Sequence, residues 1–488
     1  MTVWDEDLRE LRDPSAGIDP ERLATALDVL SELDDLPVDH PDAVAVRLAT
    51  ARLFKQVKER RRRERRDAQL AHDAGVTAAT ATAAPGRIDD ETRGLPLSTG
   101  TTAALAGTLH KARACYSCKQ RYVEVDAFYH QLCTSCAALN RSRREARTDL
   151  RWRRAMLTGG RAKIGMHIAL RLLRDGADTT ITTRFPVAAV RRFTSMPDSA
   201  DWLHRLHVVG LDLRDPAQVI ALADEVASRG PLDVLINNAA QTVRRSPGAY
   251  GHLVAAESAA LPAGPLPEVV DLGHARDAHP PALTGPSAQT LAPHAVTALA
   301  LASGSASLDR VAYETAIDAG GLVPDLDAVN SWTRTVQQVD TLEMIEVQLC
   351  NAVAPFVLIG RLRASLAASL ARRTYVVNVA AMEGQFGRGY KGAGHPHTNM
   401  AKAALNMLTR TSAQEMLERD GILMTAVDTG WITDERPHPL KARLHAEGFA
   451  APLDLVDGAA RVYDPVVRGE LGEDLCGVFL KDYAPAPW

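Results

Sequence analysis

The stretch from Arg154 to Gly165, Arg-Ala-Met-Leu-Thr-Gly-Gly-Arg-Ala-Lys-Ile-Gly, constrains the fold more than any other part of the chain. A short apolar run ends in a glycine-bearing turn. A helix follows, with Ile164, Ile168, Leu170, Leu172 and Leu173 as its apolar positions. Strand, tight turn and helix in that order aim the first amides of the helix at one point, a geometry suited to a phosphate. From here onward apolar runs and amphipathic stretches alternate. Strands are expected near 153–158, 179–184, 205–211, 232–237, 373–380, 422–428 and 475–480. Helices are expected near 163–175, 186–194, 215–229, 342–370, 396–419 and 453–466. This rhythm predicts an α/β fold with a doubly wound parallel sheet and right-handed crossovers.

A chain of 488 residues exceeds one ordinary domain, so the sheet is expected to share it with other units. Hydrophobic content of 46% and charged content of 24% are those of a soluble globular protein, and a net charge of −4 gives no general pull toward nucleic acid or membrane. Met1 to Asp7 lacks the basic and apolar regions of a signal peptide, and no apolar run is read as reaching membrane length. Residues 1–72 read as an N-terminal helical region. Asp19-Pro20-Glu21 is a helix start, Leu23, Leu27, Leu30 and Leu33 follow at helical spacing, and a second helix begins near Asp39-His40-Pro41. That helix carries Val46, Ala49, Leu53 and Val57 on one face and runs into the basic stretch Lys55–Arg66. Glu59 and Glu64 interrupt the stretch and no aromatic interleaves it, so a solvated helix end is preferred to a nucleic-acid contact. Residues 73–105, rich in Ala, Thr and Gly, read as a flexible linker.

Residues 106–150 hold two Cys-x-x-Cys pairs, Cys115/Cys118 and Cys133/Cys136, which account for four of the six cysteines. Each pair forms a knuckle, and two knuckles close a tetrahedral site for a structural Zn2+ with no open position. Paired thiolates of this kind suit a reducing compartment, and the cytoplasm is the expected location. Tyr122–Val125 and Phe128-Tyr129 read as two strands of a hairpin, and 137–147 as a helix. Knuckle, hairpin and helix resemble a treble-clef zinc finger. His130 is assigned a supporting or surface role rather than a ligand's.

The turn at Thr158-Gly159, the run Ile236-Asn237-Asn238-Ala239-Ala240 and the helix start Thr398-Asn399-Met400-Ala401-Lys402 occur in an order that resembles the short-chain dehydrogenase/reductase family over residues 151–488. The resemblance implies a Rossmann sheet and a nicotinamide coenzyme. Thr158, Gly159, Gly160, Arg161, Lys163, Ile164 and Gly165 match its glycine motif, with Lys163 replacing the middle glycine. Gly159 permits the turn, and Gly165 lets the helix pack close to the sheet. The second strand ends in Arg184 rather than a carboxylate, which, with Arg161, argues for NADP(H) over NAD(H). Asp212 and Leu213 stand at the adenine position, Asn238, Ala239 and Ala240 line the coenzyme, and Thr429 and Gly430 approach the nicotinamide amide.

The family's catalytic set is Asn, Ser, Tyr and Lys. Asn351 and Lys402 match it, Thr398 stands where the tyrosine belongs, and Ala381 falls in the serine segment. An aliphatic hydroxyl cannot be tuned to a working pKa as a phenol can. Thr398 can still orient an oxygen, because it lies four residues before Lys402 on one helical face. Another proton donor is then needed: His397 and His395 are candidates, and Tyr390 a third. The 241–340 segment is a long insertion read as a lid, with His252, His274, His279 and His294 dispersed and lacking metal spacing. The leading reading is an NADP(H)-dependent oxidoreductase acting on a small carbonyl, alcohol or enone. The alternative is a catalytically silent NADP(H)-binding sensor or scaffold acting through the zinc module. The resemblance further implies a homodimer or homotetramer built on the helices near 342–370 and 396–419.

Overall fold

The computed structural model describes residues 17–85, 87, 97, 103–245, 247–273, 322, 327–389, 391–433 and 435–488. It divides into two units, Met1–His72 and Asp73–Trp488. In the first, helix α1 (Pro20–Glu32) starts as expected: the Asp19 side chain accepts from the Arg22 amide at 3.1 Å, and proline follows at the first helical position. Helix α2 (Pro41–Ala78) carries the basic run, whose arginines are exposed.

The second unit opens with the final turn of α2, which corrects the reading of 73–105 as a linker from its start. The Asp73 carboxylate takes the backbone amides of His110 at 2.7 Å and Lys111 at 3.1 Å. Thr82 is buried, and its hydroxyl donates to the Phe128 carbonyl at 2.9 Å. The small residues that resemble linker composition here let the chain lie flat on the next element. That element is a hairpin of β1 (Leu105–Ala114) and β2 (Arg121–Asp126), followed by α3 (Thr134–Glu145). The hairpin is therefore not the expected one. Its turn is the Cys115–Cys118 knuckle itself, and Phe128-Tyr129 is not a strand; both rings turn inward instead.

The main sheet is built from β3 (Arg154–Leu157), β4 (Asp178–Thr183), β5 (Leu206–Gly210), β6 (Val234–Asn237), β7 (Glu268–Asp271), β8 (Thr374–Ala380), β9 (Ile422–Asp428), β10 (Phe479–Lys481) and β11 (Ala484–Ala486). Its order is β11-β10-β9-β8-β6-β3-β4-β5-β7, with β11 antiparallel to β10 and the other pairs parallel. The seven expected strands are present. The two extra ones, β7 and β11, are short edge strands. Every residue of β8 and β9 is buried, as a parallel sheet covered on both faces requires.

Helices α4 (Lys163–Arg174), α5 (Pro186–Thr194) and α6 (Pro216–Ser228) follow the first strands, and α7 (Gly251–Glu257) lies in the insertion. Beyond it come α8 (Thr341–Gln348), α9 (Ala354–Ala367), α10 (Pro396–Asp420), α11 (His438–Ala446) and α12 (Leu455–Glu470). Side chains of α4, α5 and α12 fill the core on one face of the sheet, and those of α6, α9 and α10 fill the other. The expected single helix at 342–370 is interrupted by a π-helical turn at Leu349–Val353. Thr341–Ala367 taken together is long and apolar enough to cross a membrane by length and composition, contrary to expectation, and half of its most apolar window is buried. A helix with apolar residues on all sides is what a sheet-covering layer also requires.

The strand order reverses between β3 and β6, and the carboxyl ends of these strands leave a crevice there. Of the insertion, α7 packs against α5 through Tyr250, Leu253 and Val254, and β7 extends the sheet. His274, His279, His294 and Tyr390 lie outside the described residues.

Candidate functional site

The crevice is a cavity of about 1320 Å3. Its floor is the turn after β3. Gly159 has φ +72°, and its amide donates to the Thr182 hydroxyl at 3.0 Å. A Cβ on Gly165 would lie 2.0 Å from the Gly159 carbonyl oxygen, so only glycine lets α4 approach this closely. Lys163, in place of the usual glycine, holds φ +54°, which costs a side chain about 1–2 kcal/mol. Gly159, Arg161, Lys163, Ile164 and Gly165 line the cavity. Thr158 and Gly160 stand behind it: the Thr158 hydroxyl accepts from the Asn238 and Ala239 amides, each at 3.0 Å, and Gly160 lies against Ile181.

Arg184 sits at the end of β4 with its guanidinium 4.7 Å from the Tyr250 ring centroid. Burial opposes its charge, but Tyr250 and Asp212 hold it protonated. Asp212, the expected adenine contact, lines the cavity with Leu213, yet its carboxylate is gripped by Arg214 at 2.7 Å (Nη2 to Oδ2) and 3.0 Å (Nε to Oδ1). Arg214 also pairs with the fully buried Glu346 at 3.2 Å. Asp212 is thus held in an ion pair rather than standing as a free acid. Asn238, Ala239 and Ala240 complete this wall.

At the other end stand Lys402, Thr398, Thr429 and Gly430. The Lys402 ammonium donates to the Val379 carbonyl at 2.7 Å, and burial lowers its pKa to about 8. The Thr398 hydroxyl is buried with no hydrogen-bond partner among the described residues. A buried, unpaired hydroxyl calls for a partner, and Thr398 is a residue of the cavity wall. Ala381 lines the cavity where the serine would stand and offers only a methyl group.

Two expected catalytic residues are elsewhere. The Asn351 carboxamide is closed onto the Gln241 backbone, accepting from its amide at 2.7 Å and donating to its carbonyl at 3.0 Å. It anchors the start of the insertion and does not line the cavity. His397 is buried behind the wall, 3.5 Å from Glu343. In α10, which starts at Pro396, His397 lies about a quarter-turn round the helix from Thr398 and faces Glu343, while Thr398 lines the cavity. His395, with φ +44°, remains on the cavity. Its ring stacks on Trp332 at 3.8 Å, and Nδ1 lies 2.8 Å from the Trp332 carbonyl. A carbonyl only accepts, so Nδ1 carries the proton and Nε2 is the exchangeable site. Burial lowers the pKa of this imidazole.

One lining residue gave no sequence signal. Tyr116, inside the first cysteine pair, reaches the cavity, and its hydroxyl accepts from the Trp431 amide at 2.9 Å. Glu435 is half-buried, which opposes its charge, and Lys163, Arg245 and Lys441 keep its carboxyl below the ordinary range. Asp428 is pushed up by burial.

The sulfurs of Cys115, Cys118, Cys133 and Cys136 lie within 4.8 Å of one another. Cys118 and Cys133 are 3.7 Å apart, too far for a disulfide and right for two ligands of one tetrahedral ion with metal–sulfur bonds near ~2.3 Å. The Cys133 amide donates to the Cys115 sulfur at 3.4 Å. His130 is buried rather than exposed, held by Thr82 at 2.8 Å, and takes no part in the sulfur cluster.

A family model described as short chain dehydrogenase matches residues 153–250. An uncharacterized protein, R665, of Acanthamoeba polyphaga mimivirus is 30% identical over 366 residues, covering 72% of this chain and 71% of that protein. A probable oxidoreductase of Streptomyces antibioticus is 40% identical over 91 residues, which is 19% of this chain and 30% of that protein. Among solved structures, a short chain dehydrogenase from Burkholderia cenocepacia in complex with NADP aligns with TM-score 0.42 at 20% identity, covering 68% of this chain and 97% of that one.

Proposed function

The chain belongs to the short-chain dehydrogenase family, and we propose that it is an oxidoreductase that binds NADP(H) and acts on a small carbonyl, alcohol or enone. One observation carries this reading: the glycine turn, the Lys402 ammonium and the unpartnered Thr398 hydroxyl line a single cavity at the sheet's switch point. Gly165 lets α4 start hard against the Gly159 carbonyl, and Arg161 and Lys163 line the cavity at that helix start, so the residues fit a coenzyme pyrophosphate. The end of β4 carries Arg184 in place of a carboxylate, which favours the coenzyme bearing a 2′-phosphate. The bound coenzyme supplies or takes the hydride.

The chain's own residues do the rest. Lys402 has donors left over for ribose hydroxyls after its bond to Val379. Thr398 orients the substrate oxygen. His395 moves the proton at Nε2, its ring fixed by Trp332. Because burial keeps this imidazole neutral near pH 7, it suits a base in alcohol oxidation, and its acid role in carbonyl reduction strengthens as pH falls. The four thiolates hold a structural Zn2+. Exposed Phe356, Met400 and Met407 on α9 and α10 support pairing of chains through that face.

A silent, coenzyme-sensing member is the second reading, favoured by the methyl of Ala381 and the engaged amide of Asn351. Titration with NADPH followed by absorbance assays over a carbonyl panel separates the two. Turnover that survives His397→Ala and is lost in His395→Ala supports the enzyme. Binding without turnover, with activity appearing only in Thr398→Tyr, supports the sensor. Absence of binding to either coenzyme refutes both.

A further inference from the structure

The cysteine module does more than staple the chain. Tyr116 lies between Cys115 and Cys118, at the turn joining β1 and β2, and its ring enters the wall of the cavity that holds Lys402 and Thr398. Its hydroxyl is the acceptor for the main-chain amide of Trp431, at 2.9 Å. That amide belongs to the loop after β9, where Gly430 has φ +79° and where a Cβ would lie 3.6 Å from the same hydroxyl. Lys119 and Lys481 place their ammonium groups 5.3 and 5.6 Å from the Tyr116 ring centroid, so the ring is flanked by cations.

A loop in this conformation has little local support of its own. The amide after the left-handed residue at Gly430 finds its partner in a segment more than 300 residues earlier in the chain. The partner is in turn only as well placed as its knuckle. The Tyr116 amide donates to the Gln131 carbonyl at 2.8 Å, the Cys115 amide to the Gln120 carbonyl at 2.9 Å and the Lys119 amide to the Cys115 carbonyl at 3.1 Å, while the four sulfurs lie within 4.8 Å without any covalent bond joining them. An ion bound by these sulfurs would lock both knuckles together. Without one, the sulfurs hold only weak hydrogen bonds.

We propose that the cysteine module is a working part of the coenzyme site, with Tyr116 as a positioning residue: metal held by Cys115, Cys118, Cys133 and Cys136 fixes the Tyr116 hydroxyl, which fixes the Thr429-Gly430-Trp431 wall against the coenzyme. The coenzyme half of this statement rests on the NADP(H) reading above; the link from module to loop does not.

The test uses the full chain in three forms: zinc-loaded, stripped by chelator, and zinc-loaded Tyr116→Phe. The substitution keeps the ring and removes the acceptor. Hydrogen exchange is followed on peptides spanning 428–433, zinc content is measured by elemental analysis, and NADPH affinity by fluorescence titration. Tyr116→Phe is expected to retain one zinc per chain, to exchange the Trp431 amide at least tenfold faster, and to bind NADPH about fivefold more weakly, the scale of one lost hydrogen bond. The stripped protein is expected to show the same two changes. Exchange and affinity equal to the parent in Tyr116→Phe overturn the proposal, as does parental exchange at 428–433 in stripped protein. If stripping unfolds the chain, Tyr116→Phe decides alone. If the parent itself binds no NADPH, the coenzyme reading fails, and the exchange data still decide whether the module holds the loop.

Discussion

Replacing Gly165 with alanine tests how tightly the turn after β3 is built. The added Cβ would lie 2.0 Å from the Gly159 carbonyl oxygen and 2.8 Å from Nδ2 of Asn238. Carbon–oxygen contacts are comfortable only beyond ~3.3 Å, so one partner must retreat by more than ~1 Å. Neither can do so freely. The Gly159 oxygen is main chain, and Asn238 is tied through its own amide to Thr158 at 3.0 Å. Overpacking against backbone costs about 3 kcal/mol, the upper part of the usual range. With an unfolding entropy of ~2.1 cal/mol/K per residue, a unit of this size converts that cost into a fall in Tm of ~3–4 °C. The same change at Gly75, inside α2 with nothing within 4 Å of its Cβ, serves as the contrast. There alanine should add about 0.5–1 kcal/mol, because a helix-interior glycine is removed. Thermal denaturation and NADPH titration on both variants read the outcome. Gly165→Ala should lose stability and coenzyme affinity together, whereas Gly75→Ala should lose neither. A Gly165→Ala protein that melts and binds like the parent would refute the close approach and, with it, the phosphate cradle.

Three other outcomes follow from the same structure. Burial holds the Lys402 pKa near 8 against its usual 10.5, so the unfolded chain binds the extra proton between those values and this residue makes stability rise with pH across that window. Lys402→Met should abolish that part of the rise, read as the difference in Tm between pH 7.5 and pH 10 in parent and variant. Arg144 pairs with the fully buried Asp454 at 2.5 Å and Asp457 at 3.1 Å, and Arg144→Met should cost about 3–5 kcal/mol by leaving buried carboxylates uncompensated, measurable by denaturant unfolding. Phe356→Glu combined with Met407→Glu, both at exposed positions, should reduce the mass in light scattering to that of one chain if α9 and α10 form the subunit contact.

The alternation of strands and helices after residue 150 was readable because most parallel strands are nearly continuous apolar runs and several of the helices between them carry a start signal. Asp215 before Pro216 is one such signal and Asp454 another; both cap their helices through side-chain bonds. The edge strands escaped notice because β7 and β11 bury little and so lack a pattern. Among site residues, those belonging to a local turn were legible: Gly159, Lys163 and Gly165 carry their geometry in their spacing. Residues whose role depends on rotation about a helix start were not. His395 and His397 flank the helix start at Pro396, and His395 is the one on the cavity. Asn351 was placed by its sequence context, but a π turn at that point swings its amide onto Gln241. Tyr116 could not have been found at all, since nothing near it in sequence indicates a partner as distant as Trp431.

The seam between the cysteine module and the sheet joins an apolar cluster, in which Phe128, Tyr129 and Leu132 share a core with Ile432, Leu453 and Leu455, to a set of buried charges. Arg144 meets Asp454 and Asp457, Arg143 meets Asp464 at 3.1 Å, and Arg461 joins Asn140 at 2.7 Å with Asp482 at 3.2 Å, while the Tyr129 hydroxyl donates to Asp457 at 2.6 Å. Buried ion pairs are poor sources of net stability, since apolar residues of the same volume often do as well or better. Their directional hydrogen bonds do, however, specify one docking position where an apolar seam would allow small slides. Much of this network converges on the first turns of α12, and the cavity wall at Leu455 is the start of that same helix. A module needed only as a cover would gain nothing from such registry. One that must hold a single phenol hydroxyl within hydrogen-bond distance of a main-chain amide requires it, because a slide of ~1 Å would break the bond. The directional charges added to the apolar contact at this seam thus have a physical reason in the placement of Tyr116.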